Sequence, residues 1–451
     1  MKLPLIALSL LAAAGPLPAQ GAPQKIPVRQ LPTPVVSAEA LRTLAAVRHL
    51  PNGNVLVHDQ GGRRVLLMDS SLAVLRVVAD TTSATANAYG TRPGGLLAYR
   101  GDSTLFIDPA SLSMLLIDPA GKVVRVMAAP RAGDVGFLVG GPAGNPGFDA
   151  QGRLVYRSFS LPAFTRAANG VPTPPVFPDT EPLVRYDLAT RKLDTAAYVK
   201  VYRPKMQVTQ EANGAVRMQS TVNPLPLVDD WAVLSDGTIA IVRGRDYHIE
   251  LIGPTGARTV AAKIPYEWQR LTDEDKIAFI DSTKAAVERQ RAGAPAGGNV
   301  GAAAVPAGGG GIGAGPAGGG APMVLMQMDG PQRAGAPTRD GSPQINIGGG
   351  APAAFTPTFV SPSELPDYKP VFGMGAVRAD MDGRIWVRTI PTKPTPGGAV
   401  YEVIDGSGKL VDRVQVPTGT TIVGFGKGGV VYLGGRDAKG VHVERTVNRE
   451  P

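Results

Sequence analysis

There is no cysteine in the 451 residues. That excludes disulfides, thiolate metal sites and a lipid anchor through a lipobox cysteine. Histidine is nearly as scarce, with His49, His58, His248 and His442 the whole complement. They stand in four different parts of the chain, which argues against a three-histidine zinc centre. Beyond the first residues no apolar run reaches the length that spans a bilayer. Lys and Arg outnumber Asp and Glu by 46 to 37 but are scattered without a run. The net charge of +9 is therefore not focused on a patch that would suit nucleic acid. Also missing are a G-x-S-x-G elbow, an H-E-x-x-H pair and a G-x-x-x-x-G-K-[ST] loop. The sequence carries no recognisable catalytic motif, and a binding role is expected ahead of an enzymatic one.

What is abundant is glycine and proline, 57 and 42 residues, together about 22% of the chain against roughly 12% in average usage. Residues 1–19 read as a secretory signal: Lys2 is the positive start, 3–14 a short apolar stretch, and Leu17 and Ala19 suit the −3 and −1 positions of cleavage. A membrane anchor fits less well, because the run is short and Gly15, Pro16 and Pro18 break it. The mature chain, from residue 20, is expected to be a single soluble domain, periplasmic or secreted, and a monomer.

One pattern recurs six times: an apolar strand, a Gly/Asp turn, a β-rich strand, a loop, a third strand, a tight turn and a fourth strand. The copies span 44–78, 95–127, 152–199, 231–264, 375–416 and 421–447. Their segments are short, β-branched or aromatic, and bounded by Gly, Asp, Asn and Pro, which are strand and hairpin signals. Six consecutive similar sheets predict an all-β fold, a six-bladed β-propeller; the coils of a β-solenoid are shorter and more regular. The sixth copy lacks its fourth strand. The strand-like stretch around 34–38 is expected to supply it, closing the ring and hiding the open edge.

The strings PNGNVLVHD (51–59), GDSTLFID (101–108), DAQGRLVYR (149–157), LSDGTIAIV (234–242) and DMDGRIWVR (380–388) resemble the repeat of bacterial six-bladed propellers of the NHL and TolB-like type. The resemblance covers most of the mature chain. It implies the fold and no single activity, since such propellers include lyases, lactonases and binding modules.

One long insertion, 265–372, interrupts the repeat between copies four and five. It opens with a helix expected over about 273–291, capped by Thr272, with Ile277, Ile280 and Val287 on one face. Residues 291–354 are mostly Gly, Ala and Pro, a composition that does not repay its ordering entropy and predicts disorder. The apolar island 323–328 lies within it.

Strand parity places the functional face. Adjacent strands of a blade run antiparallel, so first-to-second and third-to-fourth turns share one end of the disc. Second-to-third and blade-to-blade connections share the other. The first kind are all short, and the long segments 81–94, 128–146, 158–182, 200–228 and 265–372 are all of the second kind. The elaborated end is therefore the expected binding surface.

The second strands finish at that end. In one register their last residues are His58, Ile107, Arg157, Val242, Arg388 and Gly434, and one place later Asp59, Asp108, Ser158, Arg243, Thr389 and Gly435. Arg157, Arg243 and Arg388 would suit a carboxylate, phosphate or sulfated sugar on a protein, peptide or glycan, with His58, Asp59 and Asp108 beside them. The same groups would equally serve an internal Arg–Asp network. The propeller resemblance also implies a lactonase-like alternative, a metal-dependent hydrolase or lyase with calcium in the channel. Asp59, Asp108 and Asp229 are the carboxylates to test for it. No other cofactor is implied. The run 380–383 is a blade turn rather than a calcium loop, because further ligands do not follow at the required spacing.

Overall fold

The computed structural model describes residues 26–82, 88–90, 92–159, 165–166, 172–173, 177–210, 216–292, 358–392 and 396–448. The expected signal segment, the island 323–328 and nearly all of the Gly/Ala/Pro-rich segment lie outside these residues.

The described strands form a six-bladed β-propeller. Blade one pairs Leu44–His49, Val55–Asp59, Arg64–Met68 and Val74–Asp80 in sequence order. Blade two is built from Gly95–Ala98, Thr104–Asp108, Ser113–Ile117 and Val123–Ala128. Blade three takes Gly147–Phe148, Leu154–Arg157, Thr180–Tyr186 and Leu193–Lys200. Blade four takes Asp230–Val233, Ile239–Arg243, His248–Ile252 and Arg258–Val260. Blade five begins Val377–Ala379 and Ile385–Arg388, then Val400–Ile404 and Leu410–Gln415. Blade six holds Thr421–Phe425, Val430–Asp437 and Gly440–Val447.

Each sheet is squeezed between two others, which explains strands buried on both faces. All five residues of Val55–Asp59 and of Thr104–Asp108 are buried. Leu97, Leu105 and Ile107 of blade two meet Leu154, Tyr156 and Val184 of blade three in one apolar layer. Comparable layers fill the other gaps, and burying one such side chain stabilises by roughly 1.5–3 kcal/mol. The fourth strands face outward, with Val77, Val124 and Val260 exposed. First strands are therefore innermost and surround the bore. Glycines at the first turns supply the left-handed backbone these hairpins need, as at Gly53 (φ +84°) and Gly237 (φ +86°).

The N-terminal segment completes the ring. Val35–Val36 pairs antiparallel with Gly440–Val447, with Val35 opposite Arg445 and Val36 opposite Glu444, and becomes the fourth strand of blade six. Just before it, Val28–Gln30 runs parallel to the outer strand of blade five, with Val28 opposite Arg413. This extra strand carries no alternating pattern of its own. Arg29 fixes it by pairing with Asp412 and reaching Asn448 of blade six.

The helix forms as expected, at Asp273–Ala292, and is the one α-helix among the described residues. Thr272 Oγ1 accepts the Asp275 amide, while Asp275 accepts the Thr272 amide. Its buried face differs from the expected one. Ile277 is 49% exposed, whereas Lys276, Ile280, Thr283 and Val287 are buried. That seam follows helical spacing exactly where two polar residues can be satisfied: Lys276 Nζ meets Asp367 at 3.0 Å and Thr283 Oγ1 donates to the Phe279 carbonyl. No helix among the described residues is long and apolar enough to cross a membrane.

Candidate functional site: the capped mouth of the ring

The long connections meet at one end of the disc. Val216–Val222, from the link between blades three and four, pairs with Lys205–Gln210 and with Thr358–Phe359 from the link between blades four and five. Leu225, Leu271, Ile280, Val360 and Leu365 form a small core of their own beneath this sheet and the helix. A second contact set draws in two more of the loops. Phe137, from the link between blades two and three, lies 6.1 Å from Phe159, which stacks on Phe177 at 5.9 Å. The Arg203 guanidinium sits over both of the latter rings. The insertions are thus a shared cap.

The carboxylates singled out from the sequence hold loop backbone. Asp59 accepts the amides of Arg42, Thr43 and Gly62 and the Nε–H of Arg64. Asp108 does the same job one blade on, accepting from Gly90, Ala110 and the Ser111 hydroxyl. Asp229 accepts from Lys200 and Gly244 and pairs with Arg243 at 2.6 Å. These carboxylates stand in three separate hydrogen-bond sets. Among the described residues no three His, Asp or Glu side chains gather to hold a metal, and the set Asp59, Asp108 and Asp229 does not fit a calcium ion. His58 is buried edge-on against Tyr89 and Phe106. Burial pushes its imidazole down to about 4, against the opposing pull of the Asp59 charge. His58 is thereby a neutral packing group.

The three arginines divide. Arg157 lies 2.7 Å from Glu181, off the line of a good hydrogen bond, and over the Phe137 ring. Glu181 also pairs with Arg203. Arg243 is held between Asp229 and Glu250. Arg388 differs: half-buried at the mouth, its guanidinium has no hydrogen bond or ion pair with any described residue.

Two further groups complete the site. Arg378, on the inner strand of blade five, lies opposite Trp386, and Arg388 lies opposite Tyr401. Residues two apart on a strand share a face, so Arg378 and Arg388 stand on one side of the same sheet. The Arg378 guanidinium likewise makes no hydrogen bond or ion pair with a described residue; burial and the Arg388 charge lower its pKa, against the opposing pull of Tyr401 and Asp230. Across the gap, Asp230 of blade four is buried and accepts the amides of Trp231 and Val377. Burial pushes its carboxyl up to about 7, although these two amides and Arg157 favour the ionised form. The sequence reading followed the ends of the second strands and so passed over Arg378. The signal that finds it is an arginine in an inner strand, at a place that is small or apolar in four of the other five copies.

No family model matches the chain, and no curated protein matches it. Solved structures do. A protein described as exported, from Bacteroides fragilis, is 10% identical with a TM-score of 0.39, covering 95% of each chain. A gluconolactonase from Xanthomonas campestris is 10% identical with a TM-score of 0.38, covering 93% of this chain and 99% of its own. A catalytically inactive virginiamycin B lyase from Staphylococcus aureus is 8% identical with a TM-score of 0.36, covering 92% and 99%.

Proposed function

We propose that this chain is an exported binding module of the cell envelope, which holds a protein, peptide or glycan ligand through an acidic group at the capped mouth of the ring. Arg388 carries the reading. Of the arginines that reach the mouth on the second strands, Arg157 and Arg243 are neutralised within the fold, and Arg388 alone keeps a free fork. A guanidinium presents parallel donors that match a carboxylate, phosphate or sulfate. The scaffold around it is rigid and its loops are gathered at that end, as a recognition surface requires. The signal-like start of the sequence supports export.

The metal-dependent hydrolase or lyase reading has less support, because its proposed ligands are spent on loop amides in separate blades. The test is binding of the mature chain to paired arrays of acidic and neutral oligosaccharides and peptides. Acidic members should be retained and the Arg388→Ala variant should lose them, by roughly tenfold to a hundredfold. Equal retention of neutral members, or of acidic members by the variant, would overturn the reading.

A further inference from the structure

Arg42, Arg63, Arg388 and Arg436 stand far apart in the chain, so no run in the sequence announces them. The fold gathers them on three consecutive blades. Arg42 lies in the link that enters blade one, and Arg63 in the turn between its second and third strands. Both connections belong to the elaborated end of the disc. Backbone hydrogen bonds stitch the two loops together. The Gln60 amide donates to the Thr43 carbonyl at 2.8 Å, and Asp59 accepts the amides of Arg42, Thr43 and Gly62. Gly61 permits the close approach, since a β-carbon there would come to 2.9 Å from that of Arg42.

A cleft of about 660 Å³ opens at this junction, lined by Arg42, Arg63, Arg64 and Asp59, with only alanine and glycine besides. Its one carboxylate is spent, because Asp59 holds three amides and the Arg64 Nε–H. Arg64 is fixed between Asp59 and Glu39. Arg42 and Arg63 are exposed and make no hydrogen bond or ion pair with any described residue. The cleft is thus a cationic recess with two uncommitted arginines.

Blade six extends it. Leu41, next to Arg42, exchanges backbone hydrogen bonds with Val441, whose partner across the hairpin is Arg436. Side chains directly opposite on neighbouring strands share a face, and Leu41 and Val441 pack in one layer with Val55 and Val57 of blade one. Arg436 therefore stands on the face of blade six turned to blade one, exposed and without an ion pair to a described residue. Arg388 continues the line on blade five. Trp386, two residues before it, packs with Val431 and Leu433 of blade six, which puts Arg388 on the face turned to blade six. The acids of this stretch are committed. Asp437 accepts the amides of Lys439 and Gly440, and Glu444 meets His442 at 2.9 Å.

We infer that the cleft takes an acidic sugar of a polyanionic glycan, whose neighbouring acidic groups reach Arg436 and Arg388 along the rim. The inference rests on the mouth reading for Arg388 alone. Guanidinium forks match the carboxylate of a uronic acid or a sulfate ester. Their spread over three blades suits a chain that repeats its charge rather than one small anion. No aromatic ring lines the cleft to stack a base, as single-stranded nucleic acid requires. Nor does its lining offer the apolar pockets that select the side chains of a peptide.

The test is calorimetric titration of the mature protein with oligogalacturonates, heparin oligosaccharides and oligothymidylate, each from dimer to dodecamer. Affinity for at least one of the glycans should rise with chain length, and the tighter of the two shows whether carboxylate or sulfate is preferred. Arg42→Gln/Arg63→Gln should weaken the long chains by roughly tenfold and leave the melting temperature unchanged. Arg388→Ala should weaken them as well. Lys122→Gln/Arg125→Gln, which removes the same charge at the outer strand of blade two, should not. Equal loss in that control would reduce the effect to net charge and overturn the inference. Affinity independent of length, or oligothymidylate bound as tightly as the glycans, would do the same. Loss in Arg388→Ala with none in Arg42→Gln/Arg63→Gln would overturn the cleft and leave the mouth standing. The converse would establish the cleft and overturn the mouth.

Discussion

Asp230 on blade four accepts the amide N–H of Val377 on blade five at 2.9 Å, a carboxyl used to join two inner strands. The carboxyl is buried and pushed up to about 7, from an ordinary value near 3.8. A raised folded-state value means that the folded protein holds a proton that the unfolded chain has released. The resulting stabilisation is complete below about pH 4 and is lost as pH rises through 7. Asp230→Asn removes that dependence. The stability difference, wild type minus variant, should fall by about 1.4 kcal/mol per pH unit between 4 and 7. Urea denaturation at pH 4.5, 5.5 and 7 measures it, and a flat difference would show that the group does not titrate in this window.

His58 acts with the opposite sign. Its folded-state value is lowered to about 4, chiefly by burial, from an ordinary 6.5. Above 6.5 both states are neutral and nothing changes. Below it the unfolded chain takes a proton that the folded protein refuses, so stability is lost as pH falls from 6.5 to 4, by about 3 kcal/mol in all. Because Asp230 gains over the same interval, the wild-type curve should be flatter than either variant's. Relative to wild type, His58→Gln should gain about 3 kcal/mol as pH falls from 6.5 to 4, and a difference that does not change with pH would count against a neutral buried ring.

The N-terminal strands predict a third result. Ser37 is buried, its amide donates to the Val443 carbonyl, and its hydroxyl accepts the Val443 amide. Val35–Val36 covers an edge of blade six that would otherwise present unpaired backbone. A mature chain starting at residue 39 should melt at a markedly lower temperature and associate as concentration rises, seen by light scattering. Ser37→Ala should cost about 1 kcal/mol without association. A truncated chain that stays monomeric with an unchanged melt would mean the strands are decoration.

The ring was legible because each blade repeats local chemistry: a glycine or aspartate turn between two short apolar strands, as at Asn52-Gly53 and Asp236-Gly237. The closing strand followed from counting, since a sheet short of one strand must borrow it. Val28–Gln30 was not legible, because three residues held by the Arg29–Asp412 pair have no period to read. The site was half legible. Parity located the mouth and Arg388 within it, but which arginine is free depends on Glu181, Asp229 and Glu250, which reach Arg157 and Arg243 through pairings that spacing does not reveal. Arg378 is found only once the inner strands of the copies are compared.

The helix of the cap gives the last prediction, and its two isoleucines separate burial from composition. Ile280 is buried beside Leu225, Leu271 and Val360, while Ile277, three residues earlier, is 49% exposed. Deleting a buried isoleucine to alanine costs about 2–5 kcal/mol, and an exposed one roughly 0.5 kcal/mol or less. The loss at Ile280 falls on the small core of the cap, which shares no cluster with the apolar layers between blades. Ile280→Ala should therefore speed amide exchange in Asp273–Ala292 and leave exchange in Val55–Asp59 unchanged, and Ile277→Ala should do neither. Equal effects of the two substitutions would place the buried seam elsewhere on the helix. Faster exchange in both segments for Ile280→Ala would show that cap and ring unfold as one unit.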